Sequence, residues 1–295
     1  MLHLKARLRR LLTALHLTGL YSLWHRLLAW DPRRLRRAAR FRRCNRAAGA
    51  DEIVLRPGLR LSIDPRSREP FEWFCFRSLE MAAELDAFVR EMEKRRRFLD
   101  IGACHGVFAL AFAQGRPEAR ALALEPSPPA HEILAGNVLR NHLNNVTVQQ
   151  VAAGAAPGRV RMRQVWHHLE AMPAMQEGLA GPAEPDAAGI IELPVTTVDD
   201  LCAGLGFAPD LMKIDVEGYE LAVLAGARQT LARNRPRLFL ELHPDRLREL
   251  GGSAREVVGL LESLGYRFLS LTGTPLRPAA VAARESVSRI VCAAD

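Results

Sequence analysis

The segment that most constrains the fold is Phe98–Phe108, FLDIGACHGVF, whose pattern is that of a buried strand, a glycine turn and a helix start. Gly102 stands where the strand ends, and a residue without a Cβ permits a tight turn and a close approach of a ligand to the backbone. The helix that begins near Val107 presents unpaired N–H groups at the same place. The segment therefore predicts a nucleotide-like ligand at a strand end of an α/β fold.

The remainder of the chain from Arg97 onward alternates apolar runs with helical stretches, as in a parallel sheet with crossover helices. Helices are predicted near Val107–Gln114, Pro129–Asn141, Tyr219–Arg233 and Ala254–Leu264. The predicted strands are Phe98–Ile101, Ala121–Leu124, Val146–Val151, Leu211–Ile214, Arg237–Leu242, Arg267–Leu271 and Ser288–Cys292. The fold class is thus α/β, with a Rossmann-like seven-stranded sheet, helices on both faces and an antiparallel hairpin at the end.

Three regions are predicted along the chain. Residues 1–47 form a basic amphipathic helical extension, 48–95 a small cap, and 96–295 the main domain with an insertion at about 158–197. In the cap, EIVLRPGLRLSID from Glu52 to Asp64 indicates a hairpin around Pro57-Gly58. The spacing of apolar residues in Phe71–Lys94 predicts a helix that follows it.

Charge is distributed unevenly between these regions. Residues 1–47 hold Lys5 and twelve arginines against one acid, Asp31, so this arm carries +12 while the whole chain carries +8. Its leucines recur at helical spacing in residues 2–30, which favours either peripheral contact with an anionic membrane or packing on the main domain. Arg33–Arg46 has no apolar stripe and is expected to be a helix end or linker. His16, His25 and Arg26 interrupt the apolar run, which excludes a membrane span there.

The five cysteines are far apart and form no C-x-x-C pair. This argues against a zinc site or a disulfide scaffold and fits a reducing cytosol. We therefore expect a cytoplasmic protein, with peripheral contact at the inner face of the membrane as an option for the basic arm.

An acid in the glycine turn selects the kind of cofactor. The spacing is D-x-G-x-x-x-G, with Asp100 where a dinucleotide fingerprint has glycine, and Gly106 as the last residue. A carboxylate there repels a pyrophosphate but suits the cationic S-adenosylmethionine, whose ammonium it can reach. Glu125 ends the second strand, before Pro126, where an acid can bind both ribose hydroxyls. Ala152, after the third strand, is assigned to the adenine pocket.

Four ionisable side chains are predicted at the same edge of the sheet. Asp215 and Glu217 follow the strand LMKI, and Glu241 and His243 end the strand RLFLEL, with strand alternation placing these last two on one face. Asp215, Glu217 and Glu241 are also an alternative set of ligands for a divalent ion, because hard cations prefer carboxylate oxygens. A metal-free site is the favoured interpretation.

Several of these motifs together resemble the FkbM family of S-adenosylmethionine-dependent methyltransferases. They are D-x-G-A-x-x-G-x-F, L-E-P, the asparagines Asn137, Asn141 and Asn144, K-I-D-V-E-G-Y-E-x-x-V-L-x-G-A and L-E-L-H, in order over residues 97–270. The resemblance implies a class I methyltransferase fold and O-methylation of a sugar, polysaccharide or natural product. It implies cofactor contacts from Asp100, Gly102, Ala103, Gly106, Phe108, Glu125, Pro126 and Ala152.

The catalytic residues predicted for this reaction are His243, Asp215 and Glu241. A sugar hydroxyl is a poor nucleophile and must lose its proton, so a general base is expected. His243 is the first choice because its ordinary pKa lies near neutrality, and Asp215 is the second.

Two other functions compete with this one. A nucleic-acid methyltransferase is suggested by the arginine-rich arm, but the chain has no N-P-P-Y-like motif and only 6% aromatic residues. A non-catalytic scaffold that binds the cofactor is disfavoured by the intact turn residues Asp100, Gly102 and Gly106 and by Glu125.

Overall fold

We analysed a computed structural model of the chain, which describes residues 31–165, 168–171 and 190–294. The predicted helix at 2–30 and the Pro/Gly-rich part of the insertion, 172–189, lie outside the described residues. Within the described ranges, no helix has the length and apolarity needed to cross a membrane.

The first described element is helix α1 (Pro32–Cys44), which corrects the expectation of a helix end or linker. Asp31 caps this helix by accepting a hydrogen bond from the Arg33 backbone N–H at 2.8 Å. Two apolar residues one turn apart, Ala38 and Phe41, are buried, and the Phe41 ring lies 4.8 Å from that of Phe76. Burial of these two side chains and the contact with Phe76 stabilise a helix that has no continuous apolar stripe.

The cap consists of a hairpin and helices, as predicted, but its helical part is not continuous. Strands β1 (Glu52–Arg56) and β2 (Leu59–Ser62) pair in antiparallel fashion. The elements that follow are α2 (Arg68–Glu72), a π-helical turn (Trp73–Arg77) and α3 (Leu79–Met92). Ser78 has extended backbone and caps α3 through its hydroxyl, which accepts the Met81 N–H at 3.2 Å. The N-cap at Ser78 begins a new helix, and the predicted single helix 71–94 is therefore divided there.

The main sheet contains the seven predicted strands and one short addition. Its order is β13-β12-β14-β11-β10-β3-β4-β5, with β3, β4, β5, β10 and β11 parallel and β12, β13 and β14 antiparallel. The strands are β3 (Arg97–Ile101), β4 (Arg120–Leu124), β5 (Val146–Gln149), β10 (Leu211–Ile214), β11 (Arg237–Leu242), β12 (Tyr266–Leu269), β13 (Pro275–Leu276) and β14 (Ser288–Ala294). The prediction of a doubly wound, Rossmann-like sheet is confirmed.

Helices cover both faces of the sheet. They are α4 (Val107–Gly115), α5 (Pro128–Arg140), α6 (Val198–Leu205), α7 (Glu220–Ala225), α8 (Arg228–Asn234), α9 (Pro244–Glu249), α10 (Ala254–Ser263) and α11 (Pro278–Ala282). The predicted helix Tyr219–Arg233 is divided into α7 and α8 at Gly226. A Cβ on Gly226 would lie 2.0 Å from the carbonyl oxygen of Gly154, so the backbone there is pressed against another loop.

The insertion forms a second sheet of order β6-β9-β7-β8. Its strands are β6 (Ala152–Ala153), β7 (Gly158–Val165), β8 (His168–Ala171) and β9 (Ile190–Thr196). The predicted strand Val146–Val151 therefore ends early, at Gln149, and the chain continues into the other sheet at Ala152. This change of sheet opens a gap beside the ends of β3 and β4.

The cap shares one hydrophobic core with the main domain. On one face of the sheet, Ile53, Leu85 and Phe88 of the cap pack with Phe108 and Phe239, while α6 to α11 cover the opposite face. Asn137 of α5 and Asn141, which caps its C-terminus, attach the hairpin and the residues after it by accepting backbone N–H groups. The Asn137 Oδ1 accepts that of Asp64 at 2.6 Å, and the Asn141 Oδ1 accepts that of Ser62 at 2.8 Å. The cap is thereby fixed above the ends of the parallel strands.

Candidate active site

The glycine turn after β3 lies against the loop after β10. Gly102 has φ +80°, and a Cβ there would lie 1.9 Å from the carbonyl oxygen of Asp215. Gly106 has φ +91° and begins α4, where a Cβ would lie 2.5 Å from the Leu134 Cδ1. Both positions therefore require glycine, one to bring Asp215 close and the other to pack α4 on α5.

Asp100 is the penultimate residue of β3 and stabilises this turn from inside. Its side chain is buried, and Oδ2 accepts the backbone N–H of Ala109 at 3.1 Å. Burial raises the pKa of Asp100 to about 7, with Lys213 opposing the shift and Asp215 adding to it. The carboxyl group is thus poised to become fully charged beside a cationic ligand.

Glu125 connects the two loops at the carboxyl ends of β3 and β4. Its Oε2 accepts the Cys104 N–H at 2.7 Å, and its Oε1 accepts the Ser127 N–H at 2.8 Å. Burial raises the pKa of Glu125 to about 7, while these two hydrogen bonds lower it. Each oxygen keeps a lone pair for a hydroxyl of a bound ligand.

A cavity of about 1090 Å³ opens at this edge of the sheet. Of the eight residues predicted to bind the cofactor, seven line it: Asp100, Gly102, Ala103, Phe108, Glu125, Pro126 and Ala152. Gly106 is not among the described residues that line the cavity. It acts instead as the start of α4.

The cap and the second sheet supply the other walls of the cavity. The cap residues include Arg66, Glu69, Pro70, Trp73, Phe74 and Met81, and the second sheet contributes Arg159, Val160, Met162 and Val195. Trp73 is 41% exposed, a large value for an apolar ring of this size. Sequence reasoning missed these residues, because the cap has no motif of its own and only the tertiary structure places it over the sheet.

Three of the four predicted ionisable residues form a compact group. Asp215, Glu241 and His243 each offer an atom within 4.8 Å of the others. Asp215 and Glu241 line the cavity, as does the half-exposed Glu217. His243 is not among the described lining residues and lies behind these carboxylates.

Hydrogen bonds hold His243 in this position. Its Nδ1 is 2.7 Å from Oε1 of the buried Glu220, and its Nε2 is 3.5 Å from Glu217 and 3.7 Å from Glu241. Burial acts to lower the pKa of His243, but the hydrogen bond to Glu220 and the charge of Glu217 outweigh it and raise that pKa to about 9. The imidazole is consequently protonated at neutral pH.

The two carboxyl groups on the cavity wall differ in charge. Burial acts to raise the pKa of Asp215, but the charges of Lys213 and His243 outweigh it and lower that pKa to about 2. Burial and the charge of Asp215 raise the pKa of Glu241 to about 8. At neutral pH the pair therefore holds one proton and one negative charge, and the charges of Lys213 and His243 favour the negative charge on Asp215.

Lys213, Arg289 and Glu84 form a charged layer beneath this pair that sequence reasoning missed. The Lys213 Nζ lies 3.1 Å from Asp215 Oδ2 and 3.3 Å from Glu84 Oε1, and Arg289 contacts both Glu84 and Glu241. One signal was present in the sequence, since Lys213 stands in the middle of an otherwise apolar strand. The positions of Glu84 and Arg289 carry no comparable signal.

The group does not suit a divalent metal ion. The Lys213 ammonium already contacts Asp215 and lies 3.7 Å from Glu241 Oε2, and Arg289 contacts the other oxygen of Glu241. Lys213 and Arg289 thus already contact the carboxylate oxygens of Asp215 and Glu241 that a metal ion would have to bind. Glu217, which belonged to the alternative metal set, is outside the compact group and faces His243.

A family model and a curated relative are similar to this chain. The sequence profile of the methyltransferase FkbM domain matches residues 100–268. The 2-O-methyltransferase NoeI of Sinorhizobium fredii (strain NBRC 101917 / NGR234) is 26% identical over 220 residues, which cover 71% of this chain and 88% of that protein.

Solved structures with a related fold include two methyltransferases. The FkbM methyltransferase from Methylobacillus flagellatus KT has a TM-score of 0.41 and 20% identity, with 67% of this chain and 43% of that chain covered. This chain therefore spans less than half the length of that protein. An O-methyltransferase from Bacillus cereus in complex with SAH has a TM-score of 0.41 and 13% identity, with 72% and 80% covered.

The profile match extends over more than half of the chain and includes the glycine turn, Glu125, Asp215 and His243. The chain belongs to the FkbM family of methyltransferases.

Proposed function

We propose that the protein is an S-adenosylmethionine-dependent O-methyltransferase that acts on a hydroxyl group of a sugar, polysaccharide or natural product. The observation that carries this proposal is the composition of the cavity. One wall has the acidic glycine turn and Glu125, and the facing edge has Asp215 and Glu241. A cofactor site and a proton-accepting site thus open into one space.

The first wall fits the chemistry of S-adenosylmethionine. Asp100 and Glu125 are buried carboxyl groups, which would repel phosphates but can bind an ammonium and ribose hydroxyls. Ala152 and Ala153 leave room for a flat ring. When bound, this cofactor supplies an electrophilic methyl group on a sulfonium.

Asp215 is the residue that we propose as proton acceptor. It is ionised at neutral pH, lines the cavity and keeps a quarter of its side chain exposed. A carboxylate with a low pKa is sufficient here, because an oxygen that gains a methyl group becomes positively charged and releases its proton readily. His243 was the first choice from the sequence, but its raised pKa and its place behind the carboxylates favour a positioning role.

Positioning by His243 works through its two ring nitrogens. Nδ1 is held by Glu220, which also accepts the Gly218 N–H at 3.0 Å. Nε2 faces Glu217 and Glu241, and its positive charge helps to keep Asp215 ionised. The imidazolium therefore sets the charge of the residue that accepts the proton.

The relatives support transfer to oxygen. NoeI is named a 2-O-methyltransferase, and the Bacillus cereus protein is an O-methyltransferase. We extend this class of reaction to the present chain on the basis of the family. We also propose that the chain is divided as the sequence suggested, with the cap (48–95) as the cover of the acceptor side of the cavity.

The experiment is methyl transfer from tritiated S-adenosylmethionine to a panel of acceptors by the purified full chain. The panel contains methyl glycosides, oligosaccharides, a phenolic natural product and RNA. We expect label in a hydroxyl-bearing carbohydrate or natural product, as an alkali-stable ether. Label in RNA alone, or in nitrogen rather than oxygen, would contradict the proposal.

Two variants assign the proton acceptor. Asp215→Asn is expected to lower kcat by roughly 100-fold or more while S-adenosylhomocysteine still binds. His243→Gln is expected to lower kcat less and to change its pH dependence, because the charge that keeps Asp215 ionised is lost. If His243 were the base, activity would rise with pH up to about 9 and His243→Gln would be the more damaging variant.

A further inference from the structure

Five ionisable side chains form a cluster beneath the cavity, which we call the buried ion cluster (Glu84, Lys213, Asp215, Glu241 and Arg289). Lys213 and Glu84 are each 1% exposed. The Lys213 Nζ lies 3.3 Å from Glu84, 3.1 Å from Asp215 and 3.7 Å from Glu241. Nζ also lies 5.3 Å from the centre of the Phe108 ring, so one ammonium group contacts three carboxyl groups and an aromatic face.

Glu84 holds the two cations of the buried ion cluster at the same time. Its Oε1 contacts Lys213, and its Oε2 accepts a hydrogen bond from the Arg289 Nε at 3.1 Å. Arg289 in turn contacts Glu241 through Nη2. A buried charge is tolerated only when its partners are placed well, and removal of Glu84 leaves Glu241 as the carboxyl group that Lys213 and Arg289 still share.

Two members of this cluster come from outside the segment that defines the family. The profile matches residues 100–268, whereas Glu84 lies on α3 of the cap and Arg289 on β14. The cap therefore does more than cover the cavity. It supplies the carboxylate that sets where Lys213 and Arg289 lie, and these cations contact the two carboxyl groups on the cavity wall.

We infer that Glu84 is a positioning residue for methyl transfer, which acts through Lys213 and Arg289 to fix the places of Asp215 and Glu241. This inference rests on the proposed function for its link to catalysis. The site is then active only when α3 is packed against the main domain with Glu84 in place. A cap that only packs against the core would not need a charged residue at this position.

The charges that face the carboxyl pair define the expected direction of change. Asp215 is faced by Lys213, His243 and Glu241, and Glu241 is faced in addition by Arg289 and Glu84. The negative charge of Glu84 raises the pKa of Glu241. Its removal releases Lys213 and Arg289 toward the pair, so ionisation of the pair should shift to lower pH.

Three substitutions on α3 test this inference. Glu84→Gln keeps the shape and removes the charge. Glu80→Gln is the matched control, because Glu80 is one turn earlier on the same helix, 55% exposed and 3.8 Å from Arg289. Glu84→Asp keeps the charge but shortens its reach, and it serves as the conservative variant if Glu84→Gln does not fold. Melting temperature and S-adenosylhomocysteine calorimetry establish that each variant has an intact cavity.

The first readout requires no acceptor. The chain has three lysines, Lys5, Lys94 and Lys213, so ¹⁵N-lysine labelling gives a simple spectrum. A buried ammonium in ion pairs exchanges its protons slowly with water, which allows the Lys213 Nζ signal to be followed from pH 5 to pH 10. Over this range the chemical shift of that signal reports the ionisation of the neighbouring Glu241, whose pKa is about 8. We expect the midpoint that it reports to fall by roughly one unit in Glu84→Gln and to stay unchanged in Glu80→Gln.

The second readout is kcat with an acceptor that the wild type methylates. We expect Glu84→Gln to lower kcat roughly tenfold or more without a change in KM for S-adenosylmethionine, and Glu84→Asp to retain more of the activity. A folded Glu84→Gln protein with the wild-type Lys213 titration and the wild-type kcat would overturn the inference. If Glu84→Gln is unfolded, a Glu84→Asp protein with wild-type kcat and titration would overturn it equally.

Failure of the proposed function gives a different pattern. In that case the wild type methylates no hydroxyl in the panel, yet the Lys213 signal still decides whether Glu84 controls the buried ion cluster. An unchanged midpoint in a folded Glu84 variant would then refute the inference by itself, and a shifted midpoint would support it.

Discussion

The contact between the glycine turn and the Asp215 loop leaves no room for a methyl group on Gly102. Gly102 has φ +80°, and a Cβ there would lie 1.9 Å from the carbonyl oxygen of Asp215, whereas real Cβ contacts are not shorter than 3.0 Å. The obstacle is backbone, which no rotamer change can relieve. In Gly102→Ala the turn or the Asp215 loop must therefore move by roughly 1 Å.

Gly273→Ala is the matched control for this change. Gly273 has φ +85° and no heavy atom within 4 Å of the position of a Cβ. Both substitutions place alanine in left-handed backbone, which costs about 1–2 kcal/mol. Gly102→Ala adds the cost of the clash, about 1–3 kcal/mol. Misplacement of a reacting group by about 1 Å lowers the rate about 100-fold, so methyl transfer should fall by about that factor in Gly102→Ala alone.

The assay combines urea unfolding, S-adenosylhomocysteine calorimetry and methyl transfer for the wild type and both variants. We expect Gly273→Ala to retain wild-type kcat with a modest loss of stability. Equal unfolding free energies for the two variants, together with wild-type kcat in Gly102→Ala, would refute the claim that this turn positions Asp215.

Further predictions concern the cofactor wall, pH, metal and the basic arm. Glu125→Gln leaves one amide oxygen for the two N–H groups of Cys104 and Ser127, so calorimetry should show S-adenosylhomocysteine binding weakened by roughly tenfold or more, while Glu132→Gln, at an exposed position, should bind normally. The pKa of His243 rises on folding from 6.5 to about 9. Protonated His243 therefore stabilises the folded state by about 3 kcal/mol below pH 6.5, and this contribution is lost as pH rises through 9. The difference in unfolding free energy between wild type and His243→Gln should accordingly shrink between pH 6.5 and pH 10, and a constant difference would refute it. Chelation with EDTA should leave methyl transfer unchanged, and loss of activity that Mg²⁺ or Mn²⁺ restores would show that a metal is required. In flotation with anionic liposomes, we expect the full chain to float and a chain beginning at Glu52 to remain below; equal behaviour of the two would exclude the basic arm (residues 1–47) as the membrane contact.

The sheet was predictable because buried parallel strands appear in a sequence as apolar runs, and here glycines and prolines separate them. Leu211–Ile214 and Arg237–Leu242 have the predicted bounds, and the glycine turn after β3 is where its sequence placed it. The interruption of the helix at Gly226 was not predictable, because its cause is contact with the distant Gly154. Local patterns specify elements, but not which loops meet.

The site shows the same limit. Asp215, Glu241 and His243 lie at or directly after the ends of strands that meet at one edge, so their proximity could be inferred from chain order. Their protonation states could not, because they depend on Arg289 and Glu220, which the fold brings from other elements, and on the contacts that burial gives Lys213. The preference for His243 as base used its ordinary pKa, and the fold raises that pKa by means of Glu220 and Glu217.

The most direct test of the account is calorimetric titration of the purified chain with S-adenosylmethionine. The account predicts one binding site per chain, with affinity reduced in Glu125→Gln and preserved in Glu132→Gln. Absence of binding by the folded wild type, or equal binding by both variants, would contradict the assignment of the acidic glycine turn and Glu125 as the cofactor site.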